Sequence, residues 1–360
     1  MKTSVRSLSR ITLAFMLFMP FELAKANAMS ETRLSGFMTT SVTTSNNPSS
    51  IFLDYEIDDN INFLADSVLG IQVDSNIDEK TRFSSQLIAK ESNDSFDFNA
   101  EWLYLARNIH PHLELRAGRL RTPVYLYSDT IYVGVTYPWV RTPDEVYNLF
   151  ANITRYSGMD LSYDFEFGHS NNNVRLYVGQ IKESLEVNGS SLDFESKEMY
   201  GIEWTSSTIN NQIRMMVMQI RLQPLVADLS LGAAQVIAIA DRFTLNQWEF
   251  ISEYAYRVIP QDDQDAASWG WYGTVAHAFK DYTPYITLAL RDDYGTISFV
   301  NYTRDSQSIT LGTKYHFSPN FATKIEIQYI QAKPGSRGAF IVDPDHNNAL
   351  LTTIAITARF

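Results

Sequence analysis

Three arginines fall within one short stretch, Arg116, Arg119 and Arg121, and the segment that follows supplies Asp129, Asp144 and Glu145. Opposed charges on two sides of a narrow wet gap set a transverse field, which sorts passing solutes by charge and dipole. That is non-covalent chemistry. Covalent chemistry needs a nucleophile activated by a base in hydrogen-bond reach, and the six histidines, His110, His112, His169, His277, His316 and His346, do not supply it. The first three fall at expected turns, His277 and His316 at expected strand ends, no Gly-x-Ser-x-Gly occurs, and no Ser/His pairing suggests itself. His110-Pro111-His112 is the one weak metal-like spacing. No enzyme activity, metal or cofactor is expected.

What would position such charges is a sheet. Apolar and polar residues alternate with period two through most of the chain, the pattern of strands with one face in each environment. Strands are expected near 33–42, 67–76, 81–91, 98–107, 112–119, 158–167, 174–183, 197–206, 212–222, 229–241, 245–257, 268–279, 283–293, 306–317, 321–332 and 349–360, sixteen in all. Each is long enough to cross a bilayer when tilted. In 158–167, Leu161, Tyr163, Phe165 and Phe167 oppose Asp160, Ser162, Asp164 and Glu166. The even gaps are tight, such as His110–Pro111 and Ser318–Asn320. Many odd gaps are long: 43–66, 120–157, 184–196, 258–267 and 333–348. Short turns on one side and long loops on the other mark an outer-membrane barrel. The expected fold is therefore an all-β transmembrane antiparallel barrel of about 16 strands, closing 349–360 on 33–42, with the 120–157 loop folded into the lumen. Two strands break the pattern. In 212–222 the run Met215, Met216, Val217, Met218 is apolar on both faces, and 229–241 is almost uniformly small and apolar, which suits packing against a neighbouring subunit or against an inner plug.

The inner faces name the wall. Arg82, Arg175, Arg257, Arg291, Lys314, Lys324 and Glu253 are expected there, with Lys90, Glu101, Asp164 and Glu203. Parity turns Arg116 inward and Arg119 outward, unless a bulge at Gly118 resets the register. Arg116, Arg119 and Arg121, facing Asp129, Asp144 and Glu145, form the expected constriction. The alternative, ion pairs that merely hold the loop down, stays open.

Residues 1–28 read as a secretory leader: a basic start, the apolar run 11–21, and Ala26-Asn27-Ala28 at the cut. The barrel is then 29–360. The leader carries Lys2, Arg6, Arg10 and Lys25 against Glu22, so removing its net +3 takes the chain from −12 to −15. So acidic a chain is a poor nucleic-acid binder. Aromatic residues are 13% of the chain, yet mean hydropathy is −0.18, so the apolar content is dispersed. After the leader no run of 18 apolar residues exists, which excludes helical spans.

The last residues, with Leu350, Thr352, Ile354, Ile356, Ala358 and Phe360 on one face, resemble the C-terminal assembly signal of outer-membrane barrels, although Ala358 stands where those often have an aromatic. The 120–157 loop follows the fifth strand and a Gly118-Arg119 pair, and it carries Tyr125, Tyr127, Tyr132, Tyr137, Trp139, Tyr147, Phe150 and Tyr156 with Pro123, Pro138 and Pro143. In place and origin it resembles the lumen-folded third loop of general diffusion porins, and RAGRLRTPVYLYSDT and YPWVRTPDEVY look like a subgroup of proteobacterial porin-like proteins. The acidic-Gly-Gly loop motif of the general porins is missing. The resemblance implies a porin: passive diffusion of small polar solutes or ions, a homotrimer, and contact with outer-membrane lipid and lipopolysaccharide. The rival expectations are a plugged or non-transport barrel with a structural or adhesive role, a barrel hydrolase, and a soluble secreted β protein.

Overall fold

The computed structural model describes residues 31–52, 56–92, 95–150, 153–187, 190–224, 232–261, 264–296 and 302–360. The expected leader lies outside them. The strands are β1 (Thr32–Ser45), β2 (Val68–Asn76), β3 (Thr81–Ser92), β4 (Ser95–His110), β5 (Leu113–Arg121), β6 (Arg155–Phe167), β7 (Ser170–Val187), β8 (Ser190–Ser207), β9 (Asn211–Pro224), β10 (Ala233–Leu245), β11 (Trp248–Ile259), β12 (Ala266–His277), β13 (Tyr282–Tyr294), β14 (Ser306–Ser318), β15 (Phe321–Ala332) and β16 (Asn348–Arg359). Each pairs antiparallel with its sequence neighbours, and β1 closes on β16 with Met38 opposite Ala358 and Val42 opposite Ile354. All sixteen expected strands are present and the expected seam is the observed one. Closure leaves no sheet edge, so the ladder satisfies the backbone where lipid cannot.

One expected loop is strand instead. Pairing of β7 with β8 continues through Glu183 opposite Phe194 to Val187 opposite Ser190, so the gap expected at 184–196 is the end of a long hairpin. Alternation is a signal of two unlike environments. Backbone pairing does not depend on that signal, so a hairpin can continue where the pattern fades.

The outward rows carry Leu103, Leu105, Met159, Val178, Val217, Ile239, Leu288, Leu311, Ile327 and Ile354, all exposed on the isolated barrel. An apolar belt around the outside is what a bilayer covers. Near the short-turn end, Tyr282, Tyr315, Phe317 and Phe321 make a run of ring contacts, an aromatic girdle at an interface.

The interior is asymmetric. Met216, Met218 and Ile220 of β9 and Ala234, Val236 and Ala238 of β10 point inward. They are buried in one cluster with Leu126, Tyr127, Trp139, Val146, Leu149 and Phe150 from the β5–β6 loop. Both weakly amphipathic segments are strands rather than misassigned ones, and of the explanations open for them the inner plug is the one the structure takes: the loop covers the inner face. A second cluster joins Ile51, Phe52 and Ile57 of the β1–β2 loop to Phe340 of the β15–β16 loop and to Ile330 and Leu351 on the wall.

Candidate functional site: the lumen and its inserted loop

The β5–β6 loop, described over residues 122–150 and 153–154, enters the barrel. Short 3-10 turns at Ser128–Thr130 and Gly134–Thr136 and a single helical turn, α1 (Asp144–Tyr147), stiffen it. Trp139 is buried against the far wall, its indole N–H donating to Thr287 Oγ1 at 2.7 Å and Thr274 Oγ1 at 3.2 Å. Gly270 of β12 lets α1 approach: a Cβ there would stand 2.1 Å from the Glu145 carbonyl oxygen, so only a residue without one fits.

The expected wall residues lie on the inner face, but most of them are occupied by the loop. Lys314 Nζ donates to the Val135 carbonyl at 2.6 Å, Lys324 Nζ to the Trp139 carbonyl, and Arg257 Nη1 to the Leu149 carbonyl at 2.6 Å. Glu253 accepts from the Leu126 amide at 2.8 Å and from the Tyr272 hydroxyl at 3.1 Å. Arg291 is held by Asp293 at 3.1 Å. These groups satisfy backbone that would otherwise lie unpaired inside a barrel, where an unmade hydrogen bond costs about 1–3 kcal/mol. Arg82, nearer the short turns, reaches Glu114 at 3.2 Å and is partly exposed.

On the opposite wall the charges pair with one another, and most of them are largely buried. Arg116 of β5 makes a two-pronged pair with Asp160 of β6, at 2.8 and 2.6 Å, and Asp160 also accepts from the Tyr156 hydroxyl at 3.0 Å. Arg175 of β7 and Arg214 of β9 share Glu203 of β8, at 3.2 and 3.3 Å. Asp129 of the loop lies 3.9 Å from Arg214, with its side chain 49% exposed. Burial pushes the Asp129 carboxyl up, but Arg175, Arg214, Arg116 and Arg121 outweigh it and hold the group below the ordinary carboxylate range.

The other expected constriction residues divide. Gly118 adopts φ 140°, and a Cβ there would meet the Leu103 carbonyl at 2.3 Å. Yet Arg116, Gly118 and Leu120 pair with Asp160, Gly158 and Tyr156 in unbroken register. The parity is not reset, and Arg119 stands on the outward row beside Leu103 and Ser157. It does not line the lumen. Arg121, at the strand end, is buried against Glu101 and lies under the Tyr132 ring, 4.9 Å from its centroid. Asp144 borders an open cavity and accepts from Asn148 Nδ2 at 2.9 Å. Glu145 is turned away from water. It is buried behind the loop, and burial first, with Asp144 adding to it, pushes its pKa up to about 7 against the pull of Ser308 and Arg291.

Sequence reasoning passed over two arginines that the structure brings to the lumen, Arg214 on β9 and Arg141 on the loop. Arg141 is the sole basic residue between Thr122 and Thr154. Buried, it pairs with Asp66 at 2.6 and 3.0 Å, lies 3.8 Å from Glu326, and donates to Thr353 at 3.0 Å and Thr43 at 3.4 Å. A lone cation in a loop dense with aromatics has to find an acid once buried; that was the available signal.

The fold and its inserted loop define a class, the 16-stranded outer-membrane barrel with a loop-narrowed lumen. No known protein family matches the sequence, and no curated protein does. Solved structures do match. The anion-selective porin from Comamonas acidovorans is 14% identical, with a TM-score of 0.63 over 92% of this chain and 100% of that one. The outer membrane channel DcaP of Acinetobacter baumannii is 10% identical, with a TM-score of 0.65 over 93% and 99%. OmpT, an outer membrane protein of Vibrio cholerae in a trimer form, is 11% identical, with a TM-score of 0.61 over 92% and 100%. At these identities the likeness is one of fold.

Proposed function

We propose that the protein is an outer-membrane porin, a narrow aqueous channel through which small polar solutes and ions diffuse. The observation that carries the reading is Asp129. A loop acid half in water, set against Arg116, Arg175 and Arg214, is the arrangement that makes a transverse field across a wet gap. The proposed constriction is therefore Arg116, Arg175 and Arg214 against Asp129, with Asp144 on the loop's other flank; Arg119 and Glu145 leave the set. Cleavage after residue 28, a homotrimer like the trimer form of OmpT, and contact with lipopolysaccharide belong to the same reading. Single-channel recording of the purified protein in a planar bilayer, with reversal potentials in a salt gradient, tests it. Discrete conductance steps are expected.

A second reading has its own observation. The wall charges Lys314, Lys324, Arg257 and Glu253 are taken up by loop backbone, and the loop fills the β9–β13 side with apolar packing. A barrel plugged this way gives no steps until the loop is shortened. That result replaces the channel by a closed barrel.

A further inference from the structure

We infer that Tyr156 is a positioning residue for the charged wall of the lumen: its hydroxyl, passed over the bare backbone of Gly158, fixes Asp160 and through it the guanidinium of Arg116. The inference rests on the channel reading above and adds to it a residue that acts on ion preference from behind the wall charges.

Residues two apart on a strand share a face. Tyr156, Gly158 and Asp160 therefore follow one another along the inner face of β6, opposite Leu120, Gly118 and Arg116 of β5. Four residues of strand span about 13 Å. The tyrosine reaches along that span from one end and the aspartate from the other, and the hydroxyl donates to Asp160 Oδ2 at 3.0 Å. Gly158 puts no side chain between them. Its cross-strand partner Gly179 clears the space beside them: a Cβ there would stand 2.6 Å from Tyr156 Cδ2. Two facing glycines thus leave the strip in which the ring lies.

Asp160 accepts from Arg116 Nε at 2.8 Å and Nη2 at 2.6 Å, and the Tyr104 ring lies 5.3 Å from the Arg116 Cζ. The acid is the deeper member of the pair, its side chain 1% exposed against 15% for the arginine. The hydroxyl of Tyr156 is the third donor on that acid, and it comes from the acid's own strand, so it ties the pair to the wall. The Tyr156 ring is in turn fixed in the apolar cluster of the inserted loop. Tyr177 supplies the contrast. Its ring lies 5.8 Å from that of Tyr156 and close over Gly201, yet its buried hydroxyl makes no hydrogen bond. Packing alone accounts for Tyr177 and leaves the hydroxyl of Tyr156 unexplained.

Tyr156→Phe keeps the ring and removes only the hydroxyl. In planar bilayers with a salt gradient it should shift the reversal potential toward cations, as Arg116→Gln does, because Arg116 no longer stands fixed against Asp129. Tyr177→Phe should leave the potential where it is. Tyr156→Phe combined with Arg116→Gln should depart from the sum of the two single shifts, the mark of coupled residues. The same cycle read as thermal unfolding midpoints needs no conductance. Heat-modifiable migration checks folding, and Arg116→Lys, which loses the fork, stands in if Arg116→Gln does not assemble. Non-additive midpoints in a barrel that passes no current support the positioning and overturn the channel. A conducting barrel in which Tyr156→Phe leaves the potential unmoved, in which the two shifts simply add, or in which Tyr177→Phe shifts it equally, overturns the inference and leaves the channel. Additive midpoints in a barrel that passes no current overturn both.

Discussion

Arg141 shows what one buried charge does in a lumen. Removing one partner of a buried pair costs about 3–5 kcal/mol, because the other charge is left alone. Arg141→Ala would strand Asp66 beside Glu326, and its thermal unfolding midpoint should fall well below wild type. Arg141→Lys should recover only part, since an ammonium lacks the fork that meets Asp66 and Thr353 together. The charges on the β5–β9 wall and the loop acid facing them make opposite predictions. Asp129→Asn should move the reversal potential toward anion preference, and Arg116→Gln toward cations, by leaving Asp160 unmatched. If neither moves it, ions do not pass along that wall. Glu145 carries a pH dependence. Its pKa is about 7 against an ordinary 4.5, so the folded state holds the proton more tightly than the unfolded chain. Its burial costs nothing below about pH 4.5, and stability is lost as pH rises through 7, by up to about 3 kcal/mol. Glu145→Gln should therefore raise the thermal midpoint at pH 8 and leave it unchanged at pH 4. At this scale the sequence was only partly legible. Parity placed Arg116 inward and turned Arg119 outward, because alternation survives a positive φ at Gly118. It was blind to Glu145, whose orientation is set by a four-residue helical turn with no period to read.

Among the elements, the inserted loop is built as a fixture. Tyr125, Tyr127, Tyr137, Trp139 and Phe150 are buried. At roughly 1.5–3 kcal/mol each, those five rings alone outweigh any thermal excursion of the loop. Withdrawing the loop would therefore expose a large apolar surface. Removing 125–147 in a barrel that still shows heat-modifiable migration should raise conductance severalfold; unchanged conductance would place the constriction elsewhere. Gly270→Val should act in the same direction by denying α1 its seat, since the new Cβ meets backbone rather than a side chain that can move. The strands were legible because lipid and water impose period two on each. Where both faces are alike the signal fades, and that explains both departures. The β7–β8 pairing runs on past the point where the pattern fades, and β9 and β10 have an apolar face on either side. The folding-in of the β1–β2 loop left no trace in the pattern. Ile51, Phe52 and Ile57 are too few and too scattered to announce a second cluster.

For the whole molecule, the expected net charge of −15 after loss of the leader says little about selectivity. Charges on outer loops are screened within about 8–10 Å, whereas the lumen confronts arginines with acids at contact distance. The expected trimer no longer draws support from β9 and β10, whose inner faces are filled from within. Its test is the mass of the detergent-purified particle, expected at three chains, with one chain per particle counting against it. Lastly, the loop bears on both sides of the seam. Thr43 of β1 and Thr353 of β16 face each other and hydrogen-bond at 3.0 Å, and Arg141 donates to both. The two are the first and last of the described strands, and pairing across so long a separation carries a large loop-closure cost. The loop is therefore a pin through the barrel's clasp: its arginine ties together the two strands whose pairing closes the ring.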